Sequence, residues 1–538
     1  MIQEMAQIKN DVDNFFLKNK EKYDVIETFK EKLVYLSSET YQDTINYIQT
    51  NQKIFFKDHA NSSFFFFNVA LSAEYNFKTM ELFLDIFIHF KNDLKNTGVT
   101  ENEMIMRLNH FPNAINYLFS KNFFSIKSII DCSFLRNTIF INFLPEIEEY
   151  DPEYAAKRSA MLQCEARAEE IKFYNFVKNN RQSHLFYRNL NYHPLPLYTA
   201  IREDDIDTFQ SLISQNNYNL NTKIEFSEYE RARTIEQQLT LIKIAAIYGS
   251  IKIFKYLWMQ DDTDIDDDLI LFAYFGRNFD IIHLCEQKCH DPNTCSQPIL
   301  TNRQDLLDYY LENYADEIEE SYFEIECKQD IFYEEEQYKD LNYYSIESSL
   351  FSFKLDIIKK CLPRMILINR NSNIKSLNDE SCILTRTCGD YDLFKFLYKY
   401  WRPKQLNDSY IHLVENCINR MALESFKLCY NALTSKLDLD DIFMLSLQND
   451  HEITNYLLDV KIKMKFFDVS MAIQYYDEDL FVRFFKMNLI NKFNIDYTVK
   501  TMTKYLSEKM ICSLINRLDF LPLDLIKKMT KCLMKNGH

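Results

Sequence analysis

The chain has 538 residues, of which 47% are hydrophobic and 26% charged, with a formal net charge of -17 at neutral pH. That much apolar material lets most of it bury a core, while the acidic balance opposes the basic footprint that general DNA or RNA binding requires. Only 5 Gly and 10 Pro are present, too few turn formers for a β-sandwich or barrel that reverses about every 8 to 12 residues, so an all-α fold joined by polar turns is expected.

The 13 Cys show no evenly spaced framework, and Cys285, Cys361 and Cys429 fall on apolar helical positions, where cysteine acts as a small hydrophobe. Reduced thiols and a cytoplasmic or nuclear location are expected. The first residues carry Glu4, Lys9, Asp11 and Asp13 before any long apolar run, so no signal peptide is predicted. The greasiest stretches, Phe64 to Phe67 and Leu82 to Phe90, fall short of the roughly 20 residues a bilayer span needs, and the second holds Asp85 and His89. No membrane span is predicted.

Taken in chain order, residues 1–150 read as an N-terminal helical region with apolar faces, among them Phe15, Phe16, Ile26, Phe29 and Leu33. Four adjacent Phe at 64 to 67 point all round a helix, which predicts burial, and Ala70, Tyr75, Phe77, Met80 and Phe83 form a faint copy of the later pattern. Residues 151–190, rich in Ala, Glu, Lys and Arg up to Arg181, read as a polar helical connector.

From 191 to 300 a unit repeats. Its clearest copy runs from Thr240 through Ala245, Ala246 and Gly249 to Ile251, Phe254 and Leu257, predicting a helix, a tight turn at Gly249 and a second helix. Pro196, Leu197, Ala200, Asp204, Ile206, Phe209 and Leu212 precede it in the same layout; Ala273, Gly276, Phe279, Ile281, Ile282 and Cys285 follow, with the Gly one place early. Residues 301–345 interrupt the series as an acidic insertion or atypical unit. Divergent copies cover 346–500, at Phe353, Leu355, Ile358 and Cys361, then at Gly389, Tyr391, Leu393, Phe394 and Leu397. Their turns move on to Met421, Asn449 and Tyr476, about 27 to 32 residues apart, within the range for helix-pair repeats. Residues 501–538, with Lys527, Lys528, Lys531 and Lys535, read as a C-terminal helical cap.

The unit at Thr240 to Leu257 resembles the ankyrin signature T-P-L-H-x-A-A-x-x-G, with Leu241 and Lys243 in place of its Pro and His. The earlier unit keeps Pro196, Leu197 and Ala200, with Tyr198 for His and Asp204 for the turn Gly. Together with the run from Leu144 to Tyr150 (Leu-Pro-Glu-Ile-Glu-Glu-Tyr), the chain resembles a large family of divergent ankyrin-like proteins from unicellular eukaryotes. The resemblance implies a helix-pair (ankyrin-like) solenoid preceded by an N-terminal helical region, and no cofactor.

Physically, Ile251, Phe254 and Leu257 line one face of a helix that a lone pair cannot cover, so neighbouring pairs must cover it. Gly249 supplies a positive φ, and Asp204 or Asn449 tolerate the same conformation.

Candidate chemistry is sparse. His283, Cys285, Cys289, His290 and Cys295 are the densest group of metal-ligand types, but no C-x-x-C is present and Cys285 takes a core position. Asp262, Asp264 and Asp266 alternate like a calcium loop, yet Asp267 stands where its Gly belongs and Ala273 where its Glu belongs. Gly98, Gly249, Gly276, Gly389 and Gly537 are too dispersed for a phosphate loop, and Asn455 breaks a zincin motif begun by His451 and Glu452. No catalytic, cofactor-binding or metal residue is therefore assigned. The acidic run from Glu312 to Glu336 admits two readings, a solvated insertion or a steering surface for a basic partner segment.

The reading that follows is a non-catalytic scaffold that binds protein partners, not nucleic acid, at its inter-repeat turns and concave face. Two alternatives stand beside it: an adaptor or enzyme-associated protein whose activity or recruitment lies in residues 1–150, and a host-facing or nuclear effector.

Overall fold

In the computed structural model the described residues are 2–288, apart from 75, 77, 109–110, 134–135, 191–194, 217, 226–228, 230–237, 261–262 and 267, and 390–531, apart from 401–407, 420–421, 434–438, 450, 461–477, 488, 490–494, 518–525 and 528–529. They are all-α but for one short antiparallel ladder. No described helix is long and apolar enough to cross a membrane. The expected repeat at Phe353 to Cys361, the acidic run 312–336, Gly389, Met421 and Tyr476 lie outside the described residues. Chain contacts divide the protein into two compact units, each built from two stretches of sequence: residues 1–99 with 187–413, and residues 100–186 with 414–538.

The first unit opens with α1 (Ile2–Lys18), α2 (Lys20–Val34), α3 (Tyr41–Thr50), α4 (Gln52–Phe55), α5 (His59–Glu74), α6 (Met80–His89) and α7 (Lys91–Asn96). Helix α5 is buried nearly all round from Ser62 to Glu74, and Phe65, Phe66 and Phe67 are buried as four adjacent Phe require. Its Phe65 ring lies 5.4 Å from Phe29 of α2 and 5.5 Å from Phe55 of α4, so the three helices share one aromatic core.

In the second unit come α8 (Glu101–Arg107), α9 (Pro112–Ser120), α10 (Ile126–Ser133), α11 (Asn137–Asn142), α12 (Leu144–Tyr150), α13 (Pro152–Glu165) and α14 (Ala168–Asn179). Helix α15 (Arg181–Leu190) follows. The segment read as one polar connector is three helices, α13 to α15, broken where Ala166 turns extended and again at Asn180, and it buries Tyr154, Leu162, Tyr174 and Val177. Between α9 and α10, Asn122 adopts φ 57°, and Phe123 N–H closes back on Leu118 O at 2.9 Å. This is the hydrogen-bond pattern of a left-handed helix cap.

Returning to the first unit, three helix pairs follow in sequence: α16 (Pro196–Arg202) with α17 (Ile206–Asn216), α18 (Leu241–Ile247) with α19 (Ile251–Trp258), and α20 (Leu269–Gly276) with α21 (Phe279–Glu286). Between α17 and α18, β1 (Lys223–Glu225) and β2 (Gln238–Thr240) pair antiparallel, with Ile224 opposite Leu239. First helices pack on first helices, α16 on α18 and α18 on α20, while second helices pack on second helices, α17 on α19 and α19 on α21. The pairs share one core, in which Ile253, Phe254 and Leu257 from α19 and Ile281, Ile282 and Cys285 from α21 are buried. Phe67 and Leu71 of α5 enter the same core, so these pairs are not covered by their sequence neighbours alone.

The remaining helices are α22 (Tyr391–Tyr398), α23 (Asp408–Asn419), α24 (Leu423–Leu433), α25 (Leu439–Asn449), α26 (His451–Asp459), α27 (Glu478–Lys486), α28 (Ile495–Tyr505) and α29 (Glu508–Arg517). In the second unit α13 clamps the junction of α28 and α29. Lys157 Nζ donates to the carbonyls of Thr503 (2.8 Å) and Leu506 (2.6 Å), where α28 runs out of donors. Asp151 accepts from Ser507 Oγ at 2.5 Å and Glu153 from Glu508 N–H at 2.6 Å, at the start of α29. Buried Glu478, which opens α27, meets Lys127 (3.2 Å), Arg517 (3.5 Å) and Ser513 (2.8 Å).

Glycine is demanded where the second and third pairs touch. A Cβ on Gly276 would stand 1.9 Å from Ala246 O and 2.7 Å from Gly249 N; one on Gly249 would stand 2.3 Å from Gly276 O. Gly276→Ala should gain at most about 1 kcal/mol of helix propensity, less than the overpacking cost of roughly 1–3 kcal/mol that immobile backbone pushes to its upper end. A net loss of about 2 kcal/mol is expected, read as a lower urea midpoint.

Candidate functional site

The feature that recurs from pair to pair is the turn edge. At each turn one residue is left-handed: Asp204 (φ 54°), Gly249 (φ 64°) and Arg277 (φ 56°). Gly276 sits one place early because it ends α20 and leaves the left-handed position to Arg277. At the first two turns the next N–H closes the helix, Asp205 onto Ala200 O and Ser250 onto Ala245 O, both at 2.9 Å.

Side chains then tie each turn to the next. The Asp204 carboxylate accepts from the N–H groups of Lys252 (3.1 Å) and Ile253 (3.1 Å), capping α19 of the neighbouring pair. Ser250 Oγ donates to Ile201 O at 2.5 Å. Asn278 caps its own helix through the N–H groups of Asp280 and Ile281, and its amide donates to Gly249 O at 3.2 Å. Donors at the helix starts, otherwise unmet, become the links between pairs.

The first helices offer little surface. All seven residues of α18 are buried. Lys243, which stands where the ankyrin signature has His, is among them; its Nζ pairs with Asp266 at 2.7 Å and lies 5.0 Å from the centre of the Phe272 ring. The acidic loop before α20 thus supplies a counter-charge. Asp264 donates its N–H to Asn221, and Asp262 and Asp267 lie outside the described residues.

Two parts of α2 reach turn positions. At its C-terminal end Val34 O accepts from Arg277 Nη1 at 2.6 Å. In its first turn Lys22 Nζ lies 2.8 Å from both Asp390 and Asp392, and Tyr23 OH donates to Asp390 at 2.9 Å. Asp390 is the N-cap of α22, accepting from the N–H groups of Asp392 and Leu393, and its side chain is only 2% exposed. Burial alone would lower the Lys22 ammonium, but the two carboxylates outweigh it and hold the group above its ordinary value. Burial, reinforced by Asp390, pushes the Tyr23 phenol well above its usual range. Burial would raise Asp392, and Lys22 overrides it to hold that carboxyl low.

The other predicted residues are dispersed. Cys285 is fully buried in the core while His283 is exposed on α21 beside Glu286, at 3.2 Å. Cys289, His290 and Cys295 lie outside the described residues. Among the described residues no group of three or more His, Cys, Asp or Glu is placed to hold a metal. No protein-family profile, curated protein or solved structure matches the chain.

Lys243 and Asp266 make a measurable asymmetry. Lys243→Met keeps the buried stem and removes the charge, so its cost should stay within about 1 kcal/mol. Asp266→Asn strands a buried ammonium and should cost more, about 1–2 kcal/mol because Asp266 is half exposed. Urea titrations of the two variants order the costs.

Proposed function

We propose that the chain is a protein-interaction scaffold in which helix pairs form an ankyrin-like array, with no reaction centre of its own. The observation that carries this reading is the register of α16 to α21, with first helices on first, second helices on second, and a left-handed residue at each turn. Such a series presents a repeated, rigid surface whose ordering cost is met before a partner arrives.

With α18 wholly buried, the surface left to a partner at the middle pair lies on its second helix and along the turn edge. Lys252, Lys255 and Met259 face solvent there, as Asp280, His283 and Lys288 do at the third pair. Met259 is 72% exposed, a large flexible side chain of the kind that adaptable binding surfaces use.

The test is quantitative capture by the full chain, compared with Lys252→Glu/Lys255→Glu/Met259→Asp and with a turn-edge set, Glu203→Lys/Asp207→Lys, that spares the Asp205 cap of α17. At least one captured protein should be retained about tenfold less by one set, with the fold unchanged by circular dichroism. Indifference of every captured protein to both sets would overturn the reading.

A further inference from the structure

We propose that α22 is docked on the α1–α2 hairpin by a charge-gated latch, and that removing the charge of Lys22 releases α22 while the pairs from α16 to α21 stay folded. The inference rests on the geometry of the cluster and not on the scaffold reading.

The two sides of the latch are unequal. Helix α2 is anchored: it packs on α3 and α5, Phe29 is fully buried, and Arg277 donates to its last carbonyl. Helix α22 has eight residues, well below the roughly 12–15 at which an isolated helix holds itself together in water. Its polar ties to the hairpin are Asp390 and Asp392 to Lys22, Asp390 to Tyr23, and Tyr400 to Asp11. Phe396 stacks on Phe15 with ring centres 4.5 Å apart.

Asp390 accepts from four donors: Lys22 Nζ, Tyr23 OH and the N–H groups of Asp392 and Leu393. Each of the first two comes from α2. Taking one partner from a buried pair leaves an uncompensated charge, which costs far more than the intact pair contributes. Lys22 keeps 19% of its side chain exposed, so solvent reaches the cation more easily than it reaches the carboxylate of Asp390.

The charged and titratable groups that face the cluster are Lys22 and Tyr23 from α2, Asp392 and Lys395 from α22, and Lys57 from the segment before α5. Their signs define a window. Asp392 titrates low, so its contribution is complete above the ordinary carboxylate value and is lost as pH falls through its lowered one. Lys22 titrates high, so its contribution is complete below the ordinary lysine value and is lost as pH rises through its raised one. Between these limits the latch is closed.

Hydrogen exchange on the full chain tests this. In Lys22→Met at neutral pH the amides of residues 391–398 should exchange about tenfold faster or more, with those of 241–258 unchanged. Lys22→Met/Asp390→Asn should recover most of the protection, because the Asn oxygen keeps the cap while its amide N–H can donate to the Tyr23 hydroxyl oxygen. Should Lys22→Met not fold, wild type carried from neutral pH to below the ordinary carboxylate range decides: after correction for intrinsic exchange, residues 391–398 should lose protection before residues 64–71 in the core of α5. Unchanged exchange in 391–398, equal acceleration across 241–258, or a double variant no better than the single one would overturn the latch.

Discussion

A single left-handed residue between two short helices, pressed against the backbone of the next pair, is the constraint on which the rest of the first unit depends. The tight end of α18 and the end of α20 meet so closely that neither Gly249 nor Gly276 has room for a side chain. Once the backbones touch there, the spacing of pairs is fixed, and Ile253, Phe254 and Leu257 fall opposite the helices that bury them. The hydrophobic effect supplies the larger share of the energy, but it is non-directional. The turn edge gives it register.

Two largely buried charges in this unit are placed with the same specificity. Lys243 and Lys22 are both withdrawn from water, and each has a carboxylate at 2.7 to 2.8 Å. A buried ion pair adds little net stability, whereas a mismatch is expensive. Such pairs therefore specify which segments belong together: Lys243 ties α18 to the loop before α20, and Lys22 ties the hairpin to a helix more than three hundred residues away along the chain.

Much of the architecture was legible in the sequence, because helix periodicity and left-handed turns are local properties. Gly249 and Asp204 lie at left-handed positions as their residue types suggest, and Phe65 to Phe67 are buried in a helix. Arg277 was hidden, since a left-handed arginine carries no sequence signal, and Gly276 beside it reads as the turn residue. Asn122 was hidden too: α9 has no Ala at the place where Ala200, Ala245 and Ala273 stand before the three later turns, although Asn followed by Ile126, Ile129 and Ile130 offered a clue. Lys243 reads as a departure from a signature until Asp266 is seen beside it. Contacts such as Lys22 with Asp390 leave no periodic trace, so only the folded chain discloses them.

The most direct test of the account is the replacement Asp204→Gly, which preserves the left-handed turn and deletes only the carboxylate that caps the neighbouring helix. Residue-resolved hydrogen exchange should show protection falling at the amides of Lys252 and Ile253, in the next pair, while the amides of Asp204 and Asp205 keep theirs. Loss confined to residues around 204, with Lys252 and Ile253 as protected as before, would contradict the claim that turn-edge hydrogen bonds set one pair against the next.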